Sequence, residues 1–144
     1  MNAVIYTKDD KEYASMAGIL KEESDRMDVF RDPLDGHGHY DYHYDMVVVA
    51  LEGARGMNTV LEWTDRYPDA GIIWLTSDPD FLSVAFRRHL SEFLVRPFNE
   101  AEFRRSARNV LHGSKGYKAR CPKAEKQIPA IRMDESKNRI DEKT

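Results

Sequence analysis

Between residues 35 and 45 the chain sets three histidines, His37, His39 and His43, among three aspartates, Asp35, Asp41 and Asp45. Imidazole and carboxylate are the usual ligands of zinc and other transition ions, and in an extended chain His37 and His39 share a face. The tract is also rich in turn formers, through Asp35-Gly36-His37-Gly38, and this spacing does not specify a metal centre. A polar crossover is the plainer reading, so no bound metal is expected; a metal sensor built on His37, His39 and His43 is kept as an alternative. Other chemistries lack their parts. Thr7-Lys8-Asp9-Asp10-Lys11 stands where a glycine-rich phosphate loop would follow a first strand, which argues against nucleotide or flavin binding. There is no Gly-x-Ser-x-Gly nucleophile elbow. The one cysteine, Cys121, lies in a basic tail with no evident histidine partner and reads as a spectator thiol. No cofactor is expected, and the chain does not read as an enzyme.

The elements that would carry functional side chains follow from hydrophobic period. Short apolar runs alternate with helical stretches. Ala3-Val4-Ile5-Tyr6 reads as a first strand, and Asp9 with Glu12 as a capping-box-like helix start. Tyr13, Met16, Ala17 and Leu20 supply that helix's apolar stripe. Met27 to Phe30 is a second strand and Met46 to Leu51 a third, apolar throughout as a central parallel strand should be. Met57 to Tyr67 is a helix with Val60, Leu61 and Thr64 facing in, and Gly71 to Leu75 is strand four. Asp78 caps the next helix with Pro79 at its first position. Glu92 to Val95 is strand five, and Asn99 with Glu102 caps a last helix expected to stop near Gly113. These units predict a doubly wound, five-stranded parallel α/β sheet of order 2-1-3-4-5, with the second helix short or missing. Any ligand site would lie at the carboxyl ends of the strands.

Composition agrees with a globular chain. Of 144 residues, 41% are apolar and 33% charged, which argues against wholesale disorder. The longest apolar run is too short to span a bilayer, and Lys8 to Lys11 interrupt any signal-like stretch. A lone cysteine suits a reducing cytoplasm. Residues 1–111 hold 13 Lys and Arg against 20 Asp and Glu, whereas residues 112–144 hold 9 against 5. An acidic body is a poor nucleic-acid surface. We expect one domain over 1–111 and a basic, largely irregular extension over 112–144. That extension's one apolar patch, Ile128 to Met133, could add a strand or lie on the body.

Thr7-Lys8-Asp9, Ala50, Thr76 and Arg96-Pro97-Phe98 fall at the ends of strands one, three, four and five. Together with Tyr44-Asp45, Gly56-Met57-Asn58, Ala85-Phe86 and His89, their order and spacing resemble the receiver domains of two-component response regulators. The likeness runs over residues 1–111 and is weakest from Arg31 to Tyr44. The start of the chain is similar to receivers that precede LytTR-type DNA-binding domains. The resemblance implies a site that takes a phosphoryl group on a carboxylate at the end of strand three, with Mg2+ held by an acidic pair after strand one.

Matching position by position, that nucleophile is Ala50, whose methyl group cannot attack phosphorus. The acidic pair is Thr7 and Lys8, leaving only Asp9 as a carboxylate; the Lys8 ammonium could fill the vacated cation position. The family's lysine is Arg96, still cationic but a planar fork. Thr76, the hydroxyl that senses the phosphoryl group, matches outright. Glu52 could reach the pocket, although a solvated loop residue is the plainer reading. An extra residue near Arg55 would reshape the loop bordering the phosphate. Arg96-Pro97 resembles the family's cis peptide. Phe93 stands at the switch-aromatic position and reads more simply as core.

The resemblance therefore implies a pseudo-receiver, a phosphorylation-independent regulator working through protein contacts. The input half of a LytTR-type regulator, its output domain lying outside this chain, is an alternative. Arg87, Arg88 and His89 on the helix after Asp78 and Arg104, Arg105 and Arg108 on the helix after Asn99 form a basic strip. Phe81, Leu82 and Phe86 would give that strip apolar area, and arginine with aromatics is common at interfaces. In the family this is the face made by helix four, strand five and helix five, so a homodimer or a protein partner is expected there.

Overall fold

The computed structural model describes residues 1–36, 39–90 and 92–120, the last eight by their backbone alone. Five parallel strands form one sheet in the order β2-β1-β3-β4-β5: β1 (Asn2–Tyr6), β2 (Asp28–Arg31), β3 (Met46–Val49), β4 (Gly71–Thr76) and β5 (Glu92–Val95). This is the predicted topology. Val4 pairs with Val47, Val48 with Ile73 and Trp74 with Phe93, so the branched apolar residues of the central strands stack in register. Every residue of β3 and β4 is buried, as continuous apolar runs require when helices cover both faces.

Helices α1 (Asp10–Glu23), α2 (Gly53–Arg66), α3 (Leu82–Arg87) and α4 (Glu100–Arg120) follow β1, β3, β4 and β5. Among the described residues no helix joins β2 to β3. Pro33 and a left-handed Leu34 break the chain just after β2, and the Asp32 carboxylate accepts from the Leu34 amide to form a turn. Aromatic side chains take over the missing helix's packing. Tyr40 and Tyr44 both contact Trp63 of α2, with ring centroids 5.3 and 5.8 Å apart. The Trp63 indole N–H donates to the Tyr6 hydroxyl at 2.9 Å, and the Tyr67 hydroxyl donates to the Tyr40 carbonyl at 2.7 Å.

Several expectations shift. α2 begins at Gly53, so Arg55 falls in its first turn and not in a loop, and donates to the Leu34 carbonyl. The buried face of α2 is Gly56, Thr59, Val60 and Trp63, while Leu61 and Thr64 are only half-buried. A large indole dictates the helix's rotation more strongly than Leu61 does. The Asp78 cap accepts from the Asp80 amide, but it opens a single 3-10 turn, Pro79–Phe81, ahead of the short α3. The Asn99–Glu102 capping box forms reciprocally at 2.8 and 2.9 Å. The helix it starts does not stop near Gly113 but runs to Arg120. A glycine costs a helix only about 1 kcal/mol, and no proline intervenes before Pro122.

The chain divides into two units, Met1–Val110 and Leu111–Thr144. No described helix is long and apolar enough to cross a membrane. Cys121 and the apolar patch Ile128 to Met133 lie outside the described residues.

Candidate functional site at the carboxyl edge of the sheet

The carboxyl ends of β1, β3, β4 and β5 converge, and Thr7, Ala50, Thr76 and Arg96 come together there. Thr7 and Thr76 are buried, as is Ala50, whose amide extends the β1–β3 ladder by donating to the Tyr6 carbonyl at 2.8 Å. The peptide bond between Arg96 and Pro97 is cis, as expected. Arg96 crosses the edge and binds two carboxylates at once. Its Nη1 and Nη2 grip Glu12, its Nε donates to Glu52 Oε2 at 2.7 Å, and Nη2 also reaches the Ala50 carbonyl at 3.3 Å. The guanidinium lies over the Phe98 ring, 5.7 Å from its centroid. Hydrogen bonding to Glu12, reinforced by Glu52, raises the pKa of Arg96 above its ordinary value, so the fork stays charged.

Glu12 is the residue that the sequence reading assigned elsewhere. The capping box with Asp9 does not close: the Asp9 carboxylate caps α1 by accepting from Lys11 and Glu12 amides, but the Glu12 side chain turns inward. It accepts from the Thr7 hydroxyl at 2.7 Å and from Arg96, and its side chain is only 14% exposed. A fixed cation at the sheet edge is a stronger partner than the Asp9 amide, which instead donates to Thr7 Oγ1. The signal in the sequence was an acid in the first turn of α1, next to the strand ends. The Lys8 side chain is exposed, and Arg96, not Lys8, bridges the carboxylates.

Glu52 is likewise more than a solvated loop residue. Thr76 Oγ1 donates to its Oε1 at 3.3 Å and the Ser77 amide at 2.9 Å, while Ser77 Oγ and Arg96 Nε donate to Oε2. Partial burial pushes the Glu52 carboxyl up, but the Ser77 amide and Arg96 outweigh it and hold the group below the ordinary glutamate range. Beside this network a cavity of about 450 Å3 opens between α1 and the start of α4, over Met16, Ile19, Phe98 and Phe103.

The remaining candidates disperse. Phe93 is buried, edge-on to Trp74, whose other side stacks on Phe81. The basic strip does not assemble on one face. Arg88 turns to Asp65 and Thr64 of α2, while Arg104 and Arg108 turn to Glu22 and Glu23 of α1. Acidic partners within reach outcompete an array of like charges. Arg87 and Arg105 are exposed, and Phe86 is half-exposed. His37 lies outside the described residues. His39 contacts Asp35 at 2.9 Å, and His43 packs edge-on against Tyr67. Among the described residues no group of three potential ligands could hold a metal ion.

No family model and no curated protein matches the chain. Solved structures do. A CheY-like response regulator receiver domain protein from Methanospirillum hungatei aligns over 80% of this chain and 96% of its own, with TM-score 0.65 and 12% identity. A response regulator receiver domain protein from Clostridium thermocellum aligns over 79% and 96%, with TM-score 0.61 and 17% identity. The response regulatory domain of protein mrkE from Klebsiella pneumoniae aligns over 81% and 99%, with TM-score 0.60 and 13% identity. The fold is that of CheY-like receiver domains.

Proposed function

We propose that this chain is a pseudo-receiver, a signalling module of the cytoplasm that acts through protein contacts without phosphoryl transfer and is not an enzyme. One observation carries the reading. At the sheet edge where the receiver likeness calls for a nucleophilic carboxylate and a divalent cation, Ala50 presents a methyl group and Arg96 bridges Glu12 and Glu52. Phosphoryl capture by that route needs an attacking oxygen and a metal to neutralise charge. Here the cation is supplied by the chain itself, and four of its five N–H donors are already engaged.

The test is incubation of the full chain with acetyl phosphate and Mg2+, followed by intact mass spectrometry. No phosphoryl adduct should form, and a stoichiometric adduct would refute the reading. Ala50→Asp should also stay unmodified, because Arg96 still occupies the edge and Thr7 and Lys8 give a metal no carboxylate.

The contact surface we favour is the exposed remainder of the α3–β5–α4 face, to which α3 contributes Phe86 and Arg87 and α4 contributes Arg105, all exposed. A homodimer or a protein partner would use it. Sedimentation showing a monomer at high concentration, together with unchanged partner binding by Arg87→Glu, would remove this surface from consideration.

A further inference from the structure

Four donors from two strand ends converge on one carboxylate. Thr76 ends β4 and Ser77 follows it, Arg96 follows β5, and together they give Glu52 two hydroxyls, one backbone N–H and one guanidinium N–H. Convergent N–H and O–H groups around a fixed cation make a seat for an oxyanion. α2 adds to it: this 14-residue helix starts at the residue after Glu52, and no side chain caps its first turn. Its dipole favours negative charge on the residue ahead of it, although the Glu52 carboxylate bonds none of its amides.

The anion in that seat comes from the chain. Glu52 belongs to the short β3–α2 connection, and its side chain is 49% exposed, so it covers the seat from the solvent side. We propose that Glu52 is a tethered ligand, the built-in occupant of an oxyanion site that would otherwise take a free tetrahedral oxyanion such as inorganic phosphate. The tether gives the carboxylate a high effective concentration, which a free ion at ordinary concentration does not match. The seat is thus held full at neutral pH, with Thr76, Ser77 and Arg96 fixed in their liganded arrangement. One group opposes an external anion. Glu12, on the far side of Arg96, already neutralises part of its charge. Entry therefore requires loss of Glu52 and is favoured further by loss of Glu12's charge.

The inference rests on the pseudo-receiver reading of this edge, but its test is separate, because it measures reversible binding and not a covalent adduct. Inorganic phosphate is titrated by calorimetry and thermal unfolding into the full chain, at fixed ionic strength with chloride as control. Glu52→Ala, and Glu52→Gln as a shape-preserving second variant, should bind phosphate saturably and at least about tenfold more tightly than the wild type. Adding Glu12→Gln should tighten binding further, and adding Arg96→Gln or Ser77→Ala should weaken it. Affinity no greater than the wild type's in both Glu52 variants would overturn the proposal. So would an equal response to chloride, or indifference to both Ser77→Ala and Arg96→Gln. A wild-type phosphoryl adduct from acetyl phosphate would sink the function above while leaving this measurement to stand on its own.

Discussion

At the scale of single residues, Arg96 decides the character of the sheet edge. It is a planar fork, and it uses separate edges for separate carboxylates, which a lysine's single ammonium would do less well. Removing it leaves Glu12 and Glu52 without a cation between them, and Glu12 is largely buried. Arg96→Gln should therefore lower unfolding stability by about 2 kcal/mol at neutral pH, below the full cost of breaking a buried pair because water reaches Glu52. The deficit should shrink on acidification, because Glu52, which despite partial burial the Ser77 amide and Arg96 hold below the ordinary glutamate range, then takes up its proton and the pair with Arg96 is lost in the wild type too. Urea titrations of both proteins at pH 7 and pH 3.5 check this. A deficit that grows on acidification would mean that Arg96 serves some other contact. Residue identity at this edge was legible at Ala50, Thr76 and Arg96, because each falls at the end of an apolar run. The roles of Glu12 and Glu52 were not legible, since side-chain direction there depends on a cation more than 40 residues away in sequence.

At the scale of elements, local signals and packing signals had different fates. Strands read from period and branching came out within a residue or two, and the Asn99–Glu102 box formed as its spacing dictates. Asn99→Ala should cost α4 about 1 kcal/mol in chemical denaturation. The rotation of α2 was not legible in the same way, because it is set by where Trp63 and Gly56 fit. A Cβ at Gly56 would lie 2.0 Å from the Leu51 carbonyl oxygen, a backbone atom that cannot swing aside. Gly56→Ala should cost about 2–3 kcal/mol, even though alanine is the better helix former. Equal or greater stability of this variant in urea would show that α2 packs less closely on β3 than described. The lost second helix was legible from its turn formers, but its replacement by a Tyr40–Tyr44–Trp63 cluster was not, since Trp63 belongs to α2 and only the fold brings it to the tyrosines.

At the scale of the body of residues 1–110, ion pairs between elements tie the helices to one another and to the sheet edge. Arg96 joins the end of β5 to α1, Arg88 joins α3 to α2, and Arg104 and Arg108 join α4 to α1 through Glu22 and Glu23. Exposed pairs taken singly contribute little, so the one with the clearest titration is the informative case. Hydrogen bonds from Arg108 and then Arg104 bring the Glu23 carboxyl down from 4.5 to about 2. A carboxylate depressed in the folded state contributes stability that is fully present above its unfolded pKa and disappears as pH falls through the folded one. The window for Glu23 is thus about pH 4.5 down to 2, and Glu52, also depressed, acts in the same direction. The wild type should lose stability steadily across that range, while Glu23→Gln, already lacking the charge, should show a shallower slope and a lower starting point at pH 7. Thermal unfolding at half-unit pH steps, at low salt and again at high salt, reads both slopes. If the two profiles run parallel, the α1–α4 tie does not govern acid stability.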